Sequence, residues 1–266
     1  MAELELTKHH GLGNDFLVAF HPQVDDLAAL ARRLCDRRRG IGADGLLIAE
    51  SAPGYAARMM LYNSDGSRAE MSGNGIRCFA QALARRRGNI DAQRILTDAG
   101  ERLVTLYSTD DADVIEAAVD MGTVAAIDEP ADWHRIGADP IRPVSHLSVG
   151  NPHAVVCVDD VVAVDLLALG EMVPDINLEL VAAGPEAHAI TMRVHERGAG
   201  ITQACGTGAC ASAWAAMSWG LVAGELQEIT VHMDGGDAKV RLHDPEKGHV
   251  TLVGPAVFIG SITVHL

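Results

Sequence analysis

Apolar residues in this chain fall mostly into short runs at alternating positions. The length and β-branched content of segments 16–20, 45–49, 104–107, 114–121, 154–158, 190–195, 229–232 and 251–259 predict strands. The helical period is rarer. It predicts helices over 25–36 and, shorter, over 164–169. Two further helices follow glycine-rich turns. Segment 75–87 is rich in Ala and Arg and ends before Gly88; segment 208–219 is Ala-rich and ends before Gly220. Glycine just past the last helical residue is a common stop, because it enters the left-handed cap without strain.

The same signals occur twice. Gly13-Asn14-Asp15-Phe16-Leu17-Val18 and Gly150-Asn151-Pro152-His153-Ala154-Val155 are both Gly-Asn turns leading into an apolar strand. Further on, Ala69-Glu70-Met71-Ser72-Gly73-Asn74-Gly75 and Thr202-Gln203-Ala204-Cys205-Gly206-Thr207-Gly208 each run into an Ala-rich helix. Aligned, they set Ser72 against Cys205, Gly73 against Gly206 and Gly75 against Gly208. Two matched features in one order, at nearly the same separation, point to two homologous domains. Their boundary is expected within 119–131, where Ile127-Asp128-Glu129-Pro130 reads as a linker.

Composition narrows the chemistry. The 266 residues suffice for two medium domains. Aromatics make up only 4%, so the core must rest on Ala, Val, Leu and Ile. A net charge of −15 argues against nucleic acid as a partner, because a phosphate-binding surface needs clustered cations. The runs Arg37-Arg38-Arg39 and Arg85-Arg86-Arg87 read as solvated helix ends. The start, MAELELTKHH, is not a basic segment followed by an apolar one, and no apolar stretch approaches the ~18 residues of a membrane helix. A cytoplasmic protein with no membrane partner is expected. The cysteines Cys35, Cys78, Cys157, Cys205 and Cys210 are odd in number and form no Cys-x-x-Cys pair, which suggests reduced thiols; with scattered histidines, no metal site is expected.

Each Gly-x-Gly turn starts a helix, whose first turn carries unpaired N–H groups and a partial positive charge. Such a start favours a carboxylate or phosphate, and glycine lets the ligand approach closely. Ser72 and Cys205 stand immediately before the two turns. There Cys205 is expected to have a lowered pKa and to serve as a general base. Two such groups on opposite faces of one carbon would remove a proton from one side and deliver one to the other, inverting a stereocentre. The helix N–H groups would stabilise the charge that develops on an adjoining carboxylate. The glycine-rich signatures of nucleotide-binding folds do not fit: neither turn continues as Gly-Lys-Ser/Thr, and Gly73-Asn74-Gly75 lacks a third glycine. The three lysines lie in no motif suited to a pyridoxal phosphate Schiff base.

The stretches His10-Gly11-Leu12-Gly13-Asn14-Asp15-Phe16, Asn63-Ser64-Asp65-Gly66-Ser67, Gly73-Asn74-Gly75-Ile76-Arg77-Cys78, Gly150-Asn151-Pro152-His153, Glu196-Arg197-Gly198-Ala199-Gly200 and Thr202 onward to Gly208 occur in that order. With segment 251–260 and its Gly-Pro-Ala-Val core, they resemble the diaminopimelate epimerases over essentially the whole chain. The resemblance implies an α+β fold of two pseudo-symmetric domains, each a curved, mainly antiparallel sheet wrapped around a central helix, with the active site in the interdomain cleft. It implies that the C-terminal strand returns to the first domain, giving domains 1–118 plus 252–266 and 119–251. It implies a homodimer and a reaction without cofactor or metal, interconverting the small-molecule substrates L,L- and meso-diaminopimelate in bacterial lysine and cell-wall precursor synthesis.

Residue by residue, the resemblance assigns Cys205 and Ser72 to proton transfer. Asn14, Asn63, Asn151 and Asn177 would hydrogen-bond polar groups of the substrate, Glu196 would accept from an ammonium, and Arg197 would pair with the distal carboxylate. Gly73, Asn74, Gly206 and Thr207 would hold the reacting carboxylate. His153 and Asp65 belong near the reacting centre. Leu178-Glu179 is unusual beside Asn177. Two departures stand out: Gly45 replaces a glutamine of many members, and Ser72 replaces the family cysteine. An alkoxide forms far less readily than a thiolate, so Ser72 is a poor base that can still donate or relay a proton. An engineered change, a naturally slowed enzyme and a changed substrate all account for it. An isomerase acting on another amino acid, or a non-catalytic amino-acid binding protein, stays open on the residues alone.

Overall fold

The computed structural model describes residues 3–137, 141–223, 227–244 and 248–265. The chain divides into two compact units, Met1–Asp120 with Gly254–Leu266, and Met121–Val253. The division falls inside a strand and not at 127–130, because the segment that leaves the first unit is a continuous piece of sheet.

The first unit runs β1 (Glu3–Gly11), β2 (Asn14–Phe20), α1 (Leu27–Cys35), β3 (Gly45–Glu50), β4 (Ala57–Asn63), β5 (Arg68–Ala69), α2 (Gly73–Arg87), β6 (Gln93–Thr97), β7 (Gly100–Ser108) and β8 (Val114–Thr123). Neighbours pair antiparallel except β2 with β3 and β4 with β6, which are parallel. The second unit continues with β9 (Ala125–Ala126), β10 (Val144–Ser148), β11 (Pro152–Cys157), α3 (Leu166–Met172), β12 (Asn177–Ala183), β13 (Ala189–Glu196), β14 (Gly200–Thr202), α4 (Gly206–Ser218), β15 (Glu228–Met233), β16 (Gly236–Asp244) and β17 (His249–His265). From β10 onward its pairings repeat the first unit's: β11 with β12 and β13 with β15 are parallel, and the rest are antiparallel. The duplication seen in two short motifs therefore extends to every hydrogen-bonded neighbour. The end of β17 returns to pair with β1, Glu3 opposite His265, so the C-terminal strand completes the first unit's sheet.

The α+β class follows. In each unit a curved, mainly antiparallel sheet encloses one helix. In α2 every residue from Gly73 to Ala84 is buried, and the helix packs on β1, β2, β4 and β7. In α4 burial runs from Gly206 to Ala216 with one partial break, against strands β10 to β13, β15 and β16. A helix surrounded on all sides has no solvated face: α4 is filled with small residues, and the polar Asn74, Arg77 and Gln81 of α2 are buried. The outer face of the first unit is covered by α1, whose Leu30, Ala31, Leu34 and Cys35 are buried against β3 and β4. Burying each such leucine contributes about 2 kcal/mol. No helix among the described residues is long and apolar enough to cross a membrane.

The segments predicted as strands all occur as strands. The two glycine-turn helices start two residues earlier than the pattern predicts, at Gly73 and Gly206. That shift matters, because it makes Ser72 and Cys205 the N-caps themselves.

Candidate active site

In the first unit, Ser72 enters α2 from extended backbone, φ −141° and ψ 124°, and its Oγ accepts from Gly75 N at 3.0 Å. The Asn74 side chain, 2% exposed, donates through Nδ2 to Asn14 Oδ1 at 3.3 Å. Asn14 Nδ2 donates in turn to Asp44 Oδ2 at 2.7 Å. Behind this pair lies an ion cluster. Arg37 reaches Asp15 at 2.6 Å and Asp44 at 2.7 Å, and Lys8 reaches Asp15 at 3.0 Å. Burial would push the Asp15 carboxyl up, but Arg37 and Lys8 outweigh it and hold the pKa below the usual range. Asn14, Asn74 and Ser72 are thus brought together.

Asn63 is not anchored with them. It is exposed and donates to Ser67 Oγ at 3.0 Å, while Asp65 accepts from Ser67 N at 2.7 Å and shapes the turn. Gly45 has a packing reason of its own: a Cβ there would lie 2.9 Å from the Tyr62 carbonyl, so glutamine would not fit this backbone.

In the second unit, Cys205 occupies the matching N-cap, φ −125° and ψ 114°, with Gly208 N and Thr207 Oγ1 each 3.4 Å from Sγ. The expectation of a lowered thiol pKa is wrong. Burial pushes it well above the ordinary value, and the carboxylates of Glu196 and Glu179 push the same way, against the weaker help of Thr207 and Gly208. A helix start cannot offset a dry pocket and two negative neighbours. Glu196 is raised as well, by burial above all and against hydrogen bonds from Thr202 and Cys205. Thr202 Oγ1 donates to Glu196 Oε1 at 2.5 Å. A buried thiol and a half-buried carboxyl, both held towards their protonated forms, therefore lie side by side.

Asn177 is buried and ties two turns together: Nδ2 donates to the Pro152 carbonyl at 3.1 Å, and Oδ1 accepts from Arg197 N at 2.8 Å. Arg197 itself is exposed. Asn151 Oδ1 lies 3.0 Å from His153 Nε2, and His153 Nδ1 lies 2.6 Å from Glu179 Oε1. Gly206 and Thr207, like Gly73 and Asn74, form the first helical turn and are buried. No group of His, Cys, Asp and Glu among the described residues could hold a metal ion.

The sequence reading missed Arg77, Asp44 and the role of Glu179. Arg77 is fully buried and donates to Asn74 Oδ1 at 2.9 Å, to the Gly73 carbonyl at 3.2 Å and to the Pro255 carbonyl at 3.2 Å. The available signal was the comparison of the two halves: Arg77 aligns with Cys210, and Leu47 with Glu179, changes of class at matched positions.

The diaminopimelate epimerase family model matches residues 6–127 and 145–259. A diaminopimelate epimerase of Thermosynechococcus vestitus is 38% identical over 98% of this chain and 99% of its own length. That of Desulfitobacterium hafniense is 34% identical over 96% of each chain. Among solved structures, a phenazine biosynthesis protein of the PhzF family from Bacillus anthracis superposes with a TM-score of 0.79 at 14% identity, covering all of both chains. A probable proline racemase from Agrobacterium radiobacter gives 0.71 at 17%, covering 99% of this chain and 93% of that one. At such identities the likeness speaks for the fold alone. With the family model matched along nearly the whole length, the chain is an isomerase belonging to the diaminopimelate epimerase family.

Proposed function

We propose that the protein epimerises L,L-diaminopimelate to meso-diaminopimelate without a cofactor, in lysine and cell-wall precursor synthesis, with Cys205 and Ser72 acting on opposite faces of the α-carbon. The observation that carries this reading is the matched pair of N-caps. Each is a proton-bearing side chain at the start of a buried helix that opens Gly-x-Gly, one in each of two duplicated units. A lone cap would be a packing device; the duplication of cap, glycines and helix is what a two-faced proton transfer requires.

The protonation of the Cys205 site gives the order of events. Because the thiol rests protonated, Glu196, its hydrogen-bonded neighbour, takes the thiol proton first. The thiolate then removes the α-proton, and the electron pair spreads onto the substrate carboxylate. The N–H groups of Gly73, Asn74, Gly206 and Thr207 stabilise that charge. Ser72 delivers a proton to the opposite face and is reprotonated through water, and the proton on Glu196 returns to solvent. Asn14, Asn63, Asn151, Asn177 and Arg197 hold the remaining polar groups of the substrate.

The test is incubation with L,L-diaminopimelate in heavy water. Deuterium at one α-carbon together with formation of the meso isomer is the expected result. Exchange with retention would mean that Cys205 works and Ser72 does not; binding without any exchange would end the enzyme reading. Ser72→Cys should raise the rate, and a neutral outcome would remove Ser72 from proton transfer.

A further inference from the structure

His153 and Glu179 are both 0% exposed, an imidazole and a carboxylate sealed inside the second unit. Burying an ionisable pair is costly, and a fold does not need it when hydrocarbon can fill the same space. The first unit supplies that comparison. Strand β2 pairs with β3 as β11 pairs with β12, Phe16 opposite Gly45 where His153 is opposite Asn177. The residues that match His153 and Glu179 are Phe16 and Leu47, both buried. One unit closes this layer with two apolar side chains and the other with a hydrogen-bonded imidazole and carboxyl, so packing alone does not explain the second.

The backbone has made room for the carboxylate. A Cβ at position 208 would sit 2.6 Å from Glu179 Oε1 and 3.3 Å from Cys205 Sγ, so only glycine lets Glu179 press against the first turn of α4. Glu179 Oε1 accepts from His153 Nδ1 at 2.6 Å, while Oε2 is buried with no hydrogen-bond partner among the described residues. The other ring nitrogen, Nε2, faces Asn151 Oδ1 at 3.0 Å. Both nitrogens of the ring therefore face oxygens, an arrangement that a ring donating from both satisfies. The charges around the pair are those of Glu196 and, when ionised, Cys205.

We propose that Glu179 is a positioning residue. By accepting from Nδ1 it keeps His153 a donor at both nitrogens, so Nε2–H engages Asn151 Oδ1 and leaves Asn151 to present its N–H2 end to an anionic group of the ligand. The first unit orients its matching amide the other way, with Asn14 Nδ2 already given to Asp44. The matching turns of the two units are thereby made unlike. The proposal rests on the reading that Asn151 touches the substrate.

The first measurement is independent of that reading. In ¹⁵N-histidine-labelled protein without ligand, the His153 ring, assigned by its loss in His153→Gln, should carry hydrogens on both nitrogens at neutral pH. In Glu179→Gln, which keeps the acceptor and drops the charge, Nε2 should lose its hydrogen. Gly208→Ala, which displaces the carboxylate and leaves it in the chain, should do the same if Glu179→Gln fails to fold. The second measurement is kinetic. Glu179→Gln and Asn151→Asp should each raise KM for L,L-diaminopimelate about tenfold, the effect of one lost hydrogen bond to a charged group, with kcat changed far less. The double variant should add nothing further. An Nε2 without hydrogen in the unaltered protein, or additive effects in the double variant, overturns the relay. If the unaltered protein neither binds nor turns over diaminopimelate, the functional reading fails, and the ring nitrogens alone decide the relay.

Discussion

Arg77 holds Asn74 from inside the helix that both belong to. Its guanidinium donates to Asn74 Oδ1 at 2.9 Å while lying between two glycines: a Cβ at Gly11 would come within 3.1 Å of Nη2, and one at Gly254 within 3.2 Å of Cζ. The same group reaches the carbonyls of Gly73 and Pro255, so it ties the start of α2 to the returning C-terminal strand. Its planar fork of donors suits three acceptors in different directions, which the compact lysine ammonium does not.

Arg77→Met should therefore destabilise the protein by about 3 kcal/mol, because buried acceptors lose their donor. Activity should fall with it through the loosened Asn74. Urea unfolding should show a lower midpoint at unchanged slope. Arg77→Lys should recover only part of the loss. A midpoint unmoved in Arg77→Met would mean that the carbonyls find other donors.

The protonated state of Cys205 has a direct chemical consequence. In a chain carrying Cys157→Ser, iodoacetamide should modify the protein slowly at neutral pH, since burial, Glu196 and Glu179 all hold the thiol up. Cys35 and Cys78 do not compete, because burial pushes each up to about 12, and Cys210 is sealed inside α4. Removing one negative neighbour by Glu196→Gln should move the reactivity profile to lower pH and speed modification on the order of tenfold at a fixed pH below the midpoint. A profile that stays in place would mean that Glu196 does not face the thiol in solution.

How far the sequence carries can be judged at these residues. Both buried helices were legible, because a Gly-x-Gly turn, an Ala-rich run and a glycine stop are local signals, but the caps were not, since the helices start two residues before the pattern does. Strand β13 was legible from alternation, and β2 from a short apolar, partly β-branched run after a Gly-Asn turn. Strand β12 was not, since Asn177 and Glu179 are buried together with their apolar neighbours, so the polar positions there do not mark an exposed face. The thiol's acidity was misjudged for a physical reason. The helix start is local and visible in sequence, whereas the two carboxylates that override it arrive from β12 and β13. Arg77 and Glu179 were missed likewise, because their meaning lies in partners distant along the chain.

His9 sets part of the acid limit of stability. It is buried, 2.8 Å from Gln81 Oε1 and 2.9 Å from Thr7 Oγ1, edge-on to Phe258. Burial first, and then the nearby Arg85 charge, lower its pKa to about 4, against the opposing bond to Gln81. The folded state thus binds the proton less readily than the unfolded chain, whose value is 6.5. The contribution is full above pH 6.5 and is lost as pH falls from there through 4, about 3 kcal/mol in all. His9→Gln, measured by urea unfolding at pH 7, 5.5 and 4, should flatten that part of the stability curve. An acid slope equal to that of the unaltered protein would remove His9 from the account.

Ser72 and Cys205 each do two things that substitution can separate. As caps, Ser72 Oγ and Cys205 Sγ accept from the third residue of their helices, at 3.0 Å and 3.4 Å. Ser72→Ala removes the acceptor and should cost about 1 kcal/mol of stability. Cys205→Ser keeps a cap, and a better one, since oxygen accepts more strongly than sulfur, so stability should hold within about 0.5 kcal/mol. The two variants should then diverge in heavy water. Cys205→Ser should abolish exchange of the α-proton while folding normally, because no group of thiol acidity remains at either cap. Ser72→Ala should still exchange the proton that Cys205 removes but should form little of the inverted product. Thermal unfolding, read beside mass and chiral analysis of the recovered substrate, separates the roles. Normal exchange in a folded Cys205→Ser protein would show that the base is neither of these residues, and the duplicated caps would then be parts of the fold alone.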